Sequence, residues 1–313
     1  MIKRKIGILV IALLICIALF MFYGLGSNLS YILPKRAIRV WTIIVVASSI
    51  GYSSIIFQTI TQNKILTPSI MGYESVFILF QTILVFLYGD KTFQVLQHSG
   101  NFLLSTLAML VFSLFIYLII FKNHQQNIYQ LLLIGLILGT LFQTLSSFLQ
   151  IIIDPNEFSI IENHMFASFS NMNTGLLSLA TGLLIISFAI GQYFIKYLDI
   201  LALGREHAIN LGVPYNKMVQ VLLLIISIMV SVSTALVGPI LFLGILVSNI
   251  TYQYLPTHKH KYLLLACSLI SCIVVFLGQF LIEHIFNFST AVSIIINFIG
   301  GVYFIYLILK SRK

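Results

Sequence analysis

Residues 218–255 read MVQVLLLIISIMVSVSTALVGPILFLGILVSNITYQYL, 38 residues without a charge. A membrane-spanning helix needs about 20 apolar residues. At about 1.5 Å per residue, one continuous helix of this length would be nearly twice as long as the hydrocarbon layer is thick. The run must therefore break. Gly238-Pro239 is where it can, because proline removes a backbone donor and clashes with the preceding turn. The stretch holds two membrane segments.

The rest of the chain divides in the same way. Uncharged runs cover roughly 6–26, 40–57, 75–89, 99–121, 128–153, 165–195, 262–282 and 285–309, which with the divided run makes ten segments. The segments at 70–88 and 240–254 are the least regular. Composition agrees: 59% of the 313 residues are hydrophobic and 8% are charged, with a mean hydropathy of +1.06. Soluble domains carry about 25% charged residues. The expected fold is all-α and polytopic, one membrane domain over 1–313. The opening Met-Ile-Lys-Arg-Lys and its apolar run mimic a signal peptide, but no convincing cleavage site follows. It reads as a retained first helix.

The net charge of +9 comes from basic residues in short loops, a pattern of membrane orientation rather than of nucleic-acid binding. With the amino terminus inside, cytoplasmic loops hold 13 of the 17 Lys and Arg residues, and outer loops hold four: Lys35, Arg36, Arg39 and Lys91. An even number of spans then places both termini in the cytoplasm of a cell-membrane protein.

All six prolines fall at segment boundaries or breaks. Thr67–Gly72 opens a short segment on the inner side, and Gly238–Gly244 opens another on the outer side. Short Gly/Pro-interrupted segments in paired positions point to an inverted repeat around a central path. The plainer reading, in which Pro68 and Pro239 simply start helices, stays open. Between the two lies DILALGREHAINLGVP, residues 199–214, charged and flanked by apolar runs. Asp199 suits an N-cap, Gly204 interrupts, Gly212 suits a left-handed helix end and Pro214 forbids continuation. The pattern predicts two short helices bent at Gly204 within a cytoplasmic loop, 197–217. It is either a docking surface or an ordinary polar loop.

Catalytic signals are absent. There is no G-x-x-x-x-G-K-[ST], H-E-x-x-H or G-x-S-x-G, so no catalytic, metal or cofactor site is expected. Cys16, Cys267 and Cys272 lack ligand spacing and read as small hydrophobes. His258 and His260 flank Lys259 and add polarity. His98, His164 and His284 lie near the outer face, as solvated loop residues or substrate contacts. Glu283 and Glu74 are the acids nearest the membrane; Glu74 either serves transport or caps a helix start. Gly135 and Gly139 form a G-x-x-x-G suited to close helix packing.

Three of these stretches together resemble the permeases of iron-chelate ABC importers, which carry siderophores, haem and cobalamin. Residues 201–214 fit the cytoplasmic coupling pattern L-x-L-G-x-x-x-A-x-x-L-G-V at Leu201, Leu203, Gly204, Ala208, Leu211, Gly212 and Val213. Residues 58–72, QTITQNKILTPSIMG, fit Q-x-x-x-R-N-P-L-A-x-P-x-x-L-G at Gln58, Asn63, Pro68 and Gly72, with Gln62 and Lys64 replacing Arg and Pro. Residues 238–249 fit G-P-I-x-F-V-G-L-I-V-P-H at Gly238, Pro239 and Gly244, with Ser248 and Asn249 in place of Pro-His. These departures are similar to the subgroup that carries petrobactin or anguibactin.

The resemblance implies a non-enzymatic transport subunit. Two permeases, identical or different, would enclose the path, and two separate ATPases would dock on Leu203, Gly204, Arg205, Glu206, His207, Ala208, Leu211, Gly212 and Val213. Gln58, Asn63, Pro68, Gly72, Gly238, Pro239 and Gly244 would line or hinge the path. A siderophore-binding lipoprotein would meet Lys35, Arg36 and Arg39 outside, unless these anchor a helix at lipid headgroups. The alternatives are an ion-driven secondary transporter, or a permease of the same family for haem or cobalamin.

Overall fold

The computed structural model describes residues 2–24, 29–89, 99–121, 128–155, 157–158, 162, 165–169, 174–286 and 290–311. Lys91, His98 and His164 lie outside the described residues. Among the described residues every regular element is helical. The helices are α1 (Ile2–Phe22), α2 (Leu29–Thr61), α3 (Tyr73–Tyr88), α4 (Ser99–Phe121), α5 (Ile128–Ile152), α6 (Leu177–Leu201), α7 (Arg205–Asn210), α8 (Tyr215–Val237), α9 (Leu243–Tyr254), α10 (His260–His284) and α11 (Val292–Ser311). Single 3-10 turns occupy Pro68–Met71 and Thr174–Leu176.

Seven of the helices, α1, α2, α4, α5, α6, α8 and α10, are long and apolar enough to cross a membrane. Adding the shorter α3, α9 and α11 gives the ten segments expected from the sequence, and α7 is the six-residue knuckle between them. The 218–255 run breaks where Gly238-Pro239 requires: α8 ends at Val237, and α9 begins at Leu243.

Burial separates the centre from the lipid face. α2 and α8 bury 72% and 67% of their apolar windows, whereas α1 buries 6%. α2 therefore forms the centre, packed by α8, α10, α6 and α9. Small residues permit that approach. A Cβ at Gly51 would lie 2.9 Å from the Cys267 carbonyl oxygen, so α2 and α10 touch backbone to backbone. The buried hydroxyls mostly bond to a carbonyl one turn back, as Ser54 does to Ile50 and Ser227 to Leu223, both at 2.7 Å. Hydrocarbon offers no water for such groups, so the helix itself must satisfy them. Ser49 and Ser233 also meet at 2.5 Å, joining α2 to α8.

Three expectations are corrected. α2 starts at Leu29, so Pro34 lies inside a helix near its amino end, not at a boundary. The 165–195 run is not one segment. Its described residues 165–169 are mostly irregular and α6 begins at Leu177. α6 continues to Leu201, so Asp199 lies within its last turn and is not an N-cap.

Candidate functional site

The knuckle is one long helix, a bend and one short helix. Gly204 takes φ 104°, and its carbonyl accepts the Ala208 N–H at 3.0 Å, starting α7. At the other end the Gly212 N–H bonds to Ile209 O at 2.9 Å and the Val213 N–H to Ala208 O at 3.0 Å, with Gly212 at φ 78°. This doubly bonded left-handed cap fixes the knuckle's exit. Ala208 and Val213 are buried beneath it. Leu203, Ile209 and Leu211 are 57%, 49% and 61% exposed, beside exposed Arg205, Glu206 and His207. Scaffold and contact face are thus distinct: Gly204, Ala208, Gly212 and Val213 shape the element, and the remainder present it.

The two Gly/Pro breaks meet in the interior. After α2, the Asn63 Oδ1 accepts the Ile65 N–H at 3.0 Å and closes a turn. Gln58 donates to the Lys64 carbonyl and to Ser248 Oγ, each at 2.8 Å, while Asn249 donates to the same carbonyl at 3.1 Å. Lys64, Ser248 and Asn249, three of the positions that depart from the commoner family pattern, therefore form one joint. Pro68 opens a 3-10 turn that ends at Gly72, φ 85°, before α3. Gly72 rests on the G-x-x-x-G face of α5: its Cβ would lie 3.0 Å from Gly135 O and 3.0 Å from Gly139 Cα. Gly238, φ 97°, seats likewise against Ala167 and Phe166, and Gly244 against Ser54 and Thr67. Gln58 is 2% exposed, so within the single chain this set forms joints rather than an open lining.

A cavity of about 20 Å³ lies where the breaks meet, lined by Ser53, Pro68, Ser69, Glu74, Thr234 and Gly238, among others. Its volume suits about one water. Glu74 sits in the first turn of α3, where the helix dipole favours a carboxylate. Ser69 bonds to that carboxyl, yet its Oε2 is buried without a hydrogen-bond partner.

The Lys35, Arg36 and Arg39 cluster is largely engaged within the chain. Arg36 Nη1 donates to the carbonyls of Phe20, Met21 and Tyr23 at 2.9, 3.2 and 2.8 Å, capping the end of α1. Arg39 pairs with Glu283 at 3.2 Å. Lys35 is exposed and lies against Tyr31.

Sequence reasoning missed several polar contacts. His260 is 4% exposed, the first residue of α10, and bonded on both ring nitrogens, so it does more than add polarity. Its partner is Asp199. His284 is packed rather than freely solvated, its ring stacked on Phe280 at 4.4 Å and edge-on to Tyr23 at 4.9 Å. The two-residue distance of His260 from the apolar run at Tyr262 was the one available signal.

Among the described residues, seven helices long enough to cross a membrane, three shorter ones, two paired breaks and an exposed knuckle make the architecture of a multi-pass membrane protein. A solved inward-facing structure of a metal-chelate type ABC transporter shares the fold, with a TM-score of 0.86 at 22% identity over 99% of this chain and 100% of that one. The FecCD transport family matches residues 6–310, and the chain belongs to that family. It is similar to the petrobactin import system permease protein YclO of Bacillus subtilis (strain 168), 50% identical over 99% of this chain and 98% of that protein. It is also similar to the petrobactin import system permease protein FatC of Bacillus anthracis, 30% identical over 97% of this chain and 89% of that one. The chain is a transport subunit, not an enzyme.

Proposed function

We propose that this chain is the permease subunit of an ABC importer for a ferric siderophore of the petrobactin class. The observation that carries the substrate class is the 50% identity along 99% of the chain to a petrobactin permease. The whole of 1–313 acts as one membrane domain. A second permease, alike or different, completes the path, and two ATPase subunits dock on the 197–217 loop from the cytoplasm, where both termini also lie. The exposed leucines of the knuckle, with Arg205 and Glu206, supply an amphipathic contact on a capped and therefore rigid element. The Gln58–Gly72 and Gly238–Gly244 joints act as hinges. A close-packed bundle transmits such movement because its packing is bistable rather than soft. Outside, Lys35 meets the siderophore-binding lipoprotein, while Arg36 and Arg39 hold the surface that presents it.

Uptake of iron-labelled ferric petrobactin in a strain lacking this chain, and in the same strain with the chain restored, tests the substrate class. Restored uptake that unlabelled ferric petrobactin competes away, and that haem and cobalamin do not, is expected. Equal competition by haem or cobalamin overturns the class. Glu74 favours one rival, ion-driven transport, because a buried carboxyl with a free oxygen suits a coupling ion. That rival requires uptake to collapse with the ion gradient while ATP is intact.

A further inference from the structure

Two polar bridges join the last turn of α6, at the base of the knuckle, to the core, and neither lies on the knuckle's exposed face. The first begins at Asp199 in the last turn of α6. Its Oδ1 accepts the His260 backbone N–H at 2.8 Å and the ring Nδ1–H at 2.7 Å. The other ring nitrogen, Nε2, lies 2.8 Å from Thr59 Oγ1. Thr59 itself donates to the Ile55 carbonyl at 2.8 Å. A hydroxyl has one proton to give. Nδ1–H is committed to Asp199, so a neutral ring accepts at Nε2, and Thr59 shares its one hydroxyl proton between Ile55 and His260. The second bridge is Gln62, just past the end of α2 at φ 50°. It donates to the Leu201 carbonyl at 3.2 Å and flanks Gly204, 3.3 Å from where a Cβ would stand.

The first bridge ends on α2 and the second on Gln62, the residue after it, and from there the chain runs into the Pro68–Gly72 break. The alternative connection is the apolar packing of α6 against α2, α8 and α10. Apolar contact is non-directional, so a helix held by it alone can slip. Hydrogen bonds hold a length and a direction. Asp199 also stabilises α10, because its carboxylate meets an N–H at that helix's amino end, where donors lack partners within the helix. One side chain in α6 therefore fixes the ends of α6, α10 and α2 relative to each other. The Asp199 side chain remains 44% exposed and that of His260 5%, so the bridge runs from the exposed knuckle base into the core.

We propose that Asp199, His260 and Thr59, together with Gln62, form the linkage that carries movement of the 204–213 knuckle to α2 and its break. The inference rests on the coupling role of the knuckle proposed above. These are positioning residues, acting through the joint rather than on the substrate.

The test uses the assembled complex of this chain with its second permease and ATPase subunits in proteoliposomes, with the binding protein added. Thr59→Val keeps the side-chain volume and removes only the hydroxyl; Gln62→Leu removes the second bridge. The double variant is expected to assemble with its ATPase normally. It should hydrolyse ATP, yet import roughly tenfold less ferric siderophore per ATP, in the range seen when coupling residues distant from a ligand are changed. Thr59→Ser, which keeps the hydroxyl, should restore most of the ratio that Thr59→Val loses. A structural role alone would lower thermal stability and leave uptake per ATP unchanged. An unchanged ratio in an assembled double variant overturns the linkage and leaves the knuckle's docking role intact. Failure of the unaltered chain to co-purify with any ATPase would instead sink the docking role itself. Should the double variant not insert, Thr59→Val alone is read in the same assay, and an unchanged ratio there again overturns the linkage.

Discussion

Gly72→Ala adds one methyl group where the first break meets α5. At φ 85° the residue is left-handed, which costs an L-amino acid about 1–2 kcal/mol. The new Cβ would also stand 3.0 Å from Gly135 O and 3.0 Å from Gly139 Cα. Both are backbone atoms and cannot swing aside, so overpacking adds about 1–3 kcal/mol. The expected loss is thus roughly 2–5 kcal/mol. Gly139→Ala is the control. Its Cβ meets the Gly72 Cα at 3.1 Å but its backbone is helical, leaving only the overpacking cost of about 1–3 kcal/mol. Cys267 and Cys272 are buried free thiols, so a thiol-reactive dye reports unfolding of detergent-solubilised protein. The midpoints should fall in the order native, Gly139→Ala, Gly72→Ala. A Gly72→Ala protein that melts with the native chain refutes the close-approach argument. Equal loss for both variants refutes the left-handed contribution.

Gly244→Ala drives a Cβ into Ser54 Oγ, so it should depress uptake more than expression, and Ser54→Ala should recover part of the loss in a double-mutant cycle. Lys35→Glu should weaken capture of the binding protein by about two- to fivefold at low salt, the size of one exposed charge pair, and less at high salt. Arg36→Gln, by contrast, removes the cap on α1 and should lower stability without that salt signature. Single cysteines at Ala37, Asn210 and Thr257 should label from outside, inside and inside, and external labelling of Asn210 would reverse the topology.

What the sequence reveals here depends on the distance over which each feature acts. The 218–255 break, the left-handed Gly212 and the close-packing Gly135 and Gly139 were legible because helix length, glycine and proline act locally. The start of α2 was not. Lys35, Arg36 and Arg39 end the apolar run, and a run marks where hydrocarbon lies rather than where a helix stops. Asp199 was misplaced for a similar reason: its acceptor oxygen serves the start of α10, 61 residues away in sequence, not the start of its own helix. Arg36 and Arg39 were read as binding-protein contacts or headgroup anchors because nothing local shows that one caps α1 and the other finds Glu283. His260 was undervalued because its burial comes from α2 and α6 rather than from its neighbours. The family motifs fall on the two breaks and the knuckle, but which residues of each motif are buried and which are exposed emerged only from the structure.

The central claim, that this chain turns ATPase movement into siderophore import, is tested most directly by altering the knuckle's exposed face alone. Leu203 and Leu211 are 57% and 61% exposed, so Leu203→Asp with Leu211→Asp should leave the membrane core folded. Ferric petrobactin uptake is then measured in proteoliposomes holding the complete complex, with and without ATP. The account predicts uptake that needs ATP in the native complex, and loss of both ATPase co-purification and uptake in the variant. Uptake that proceeds without ATP, or that survives the two aspartates unchanged, would contradict it.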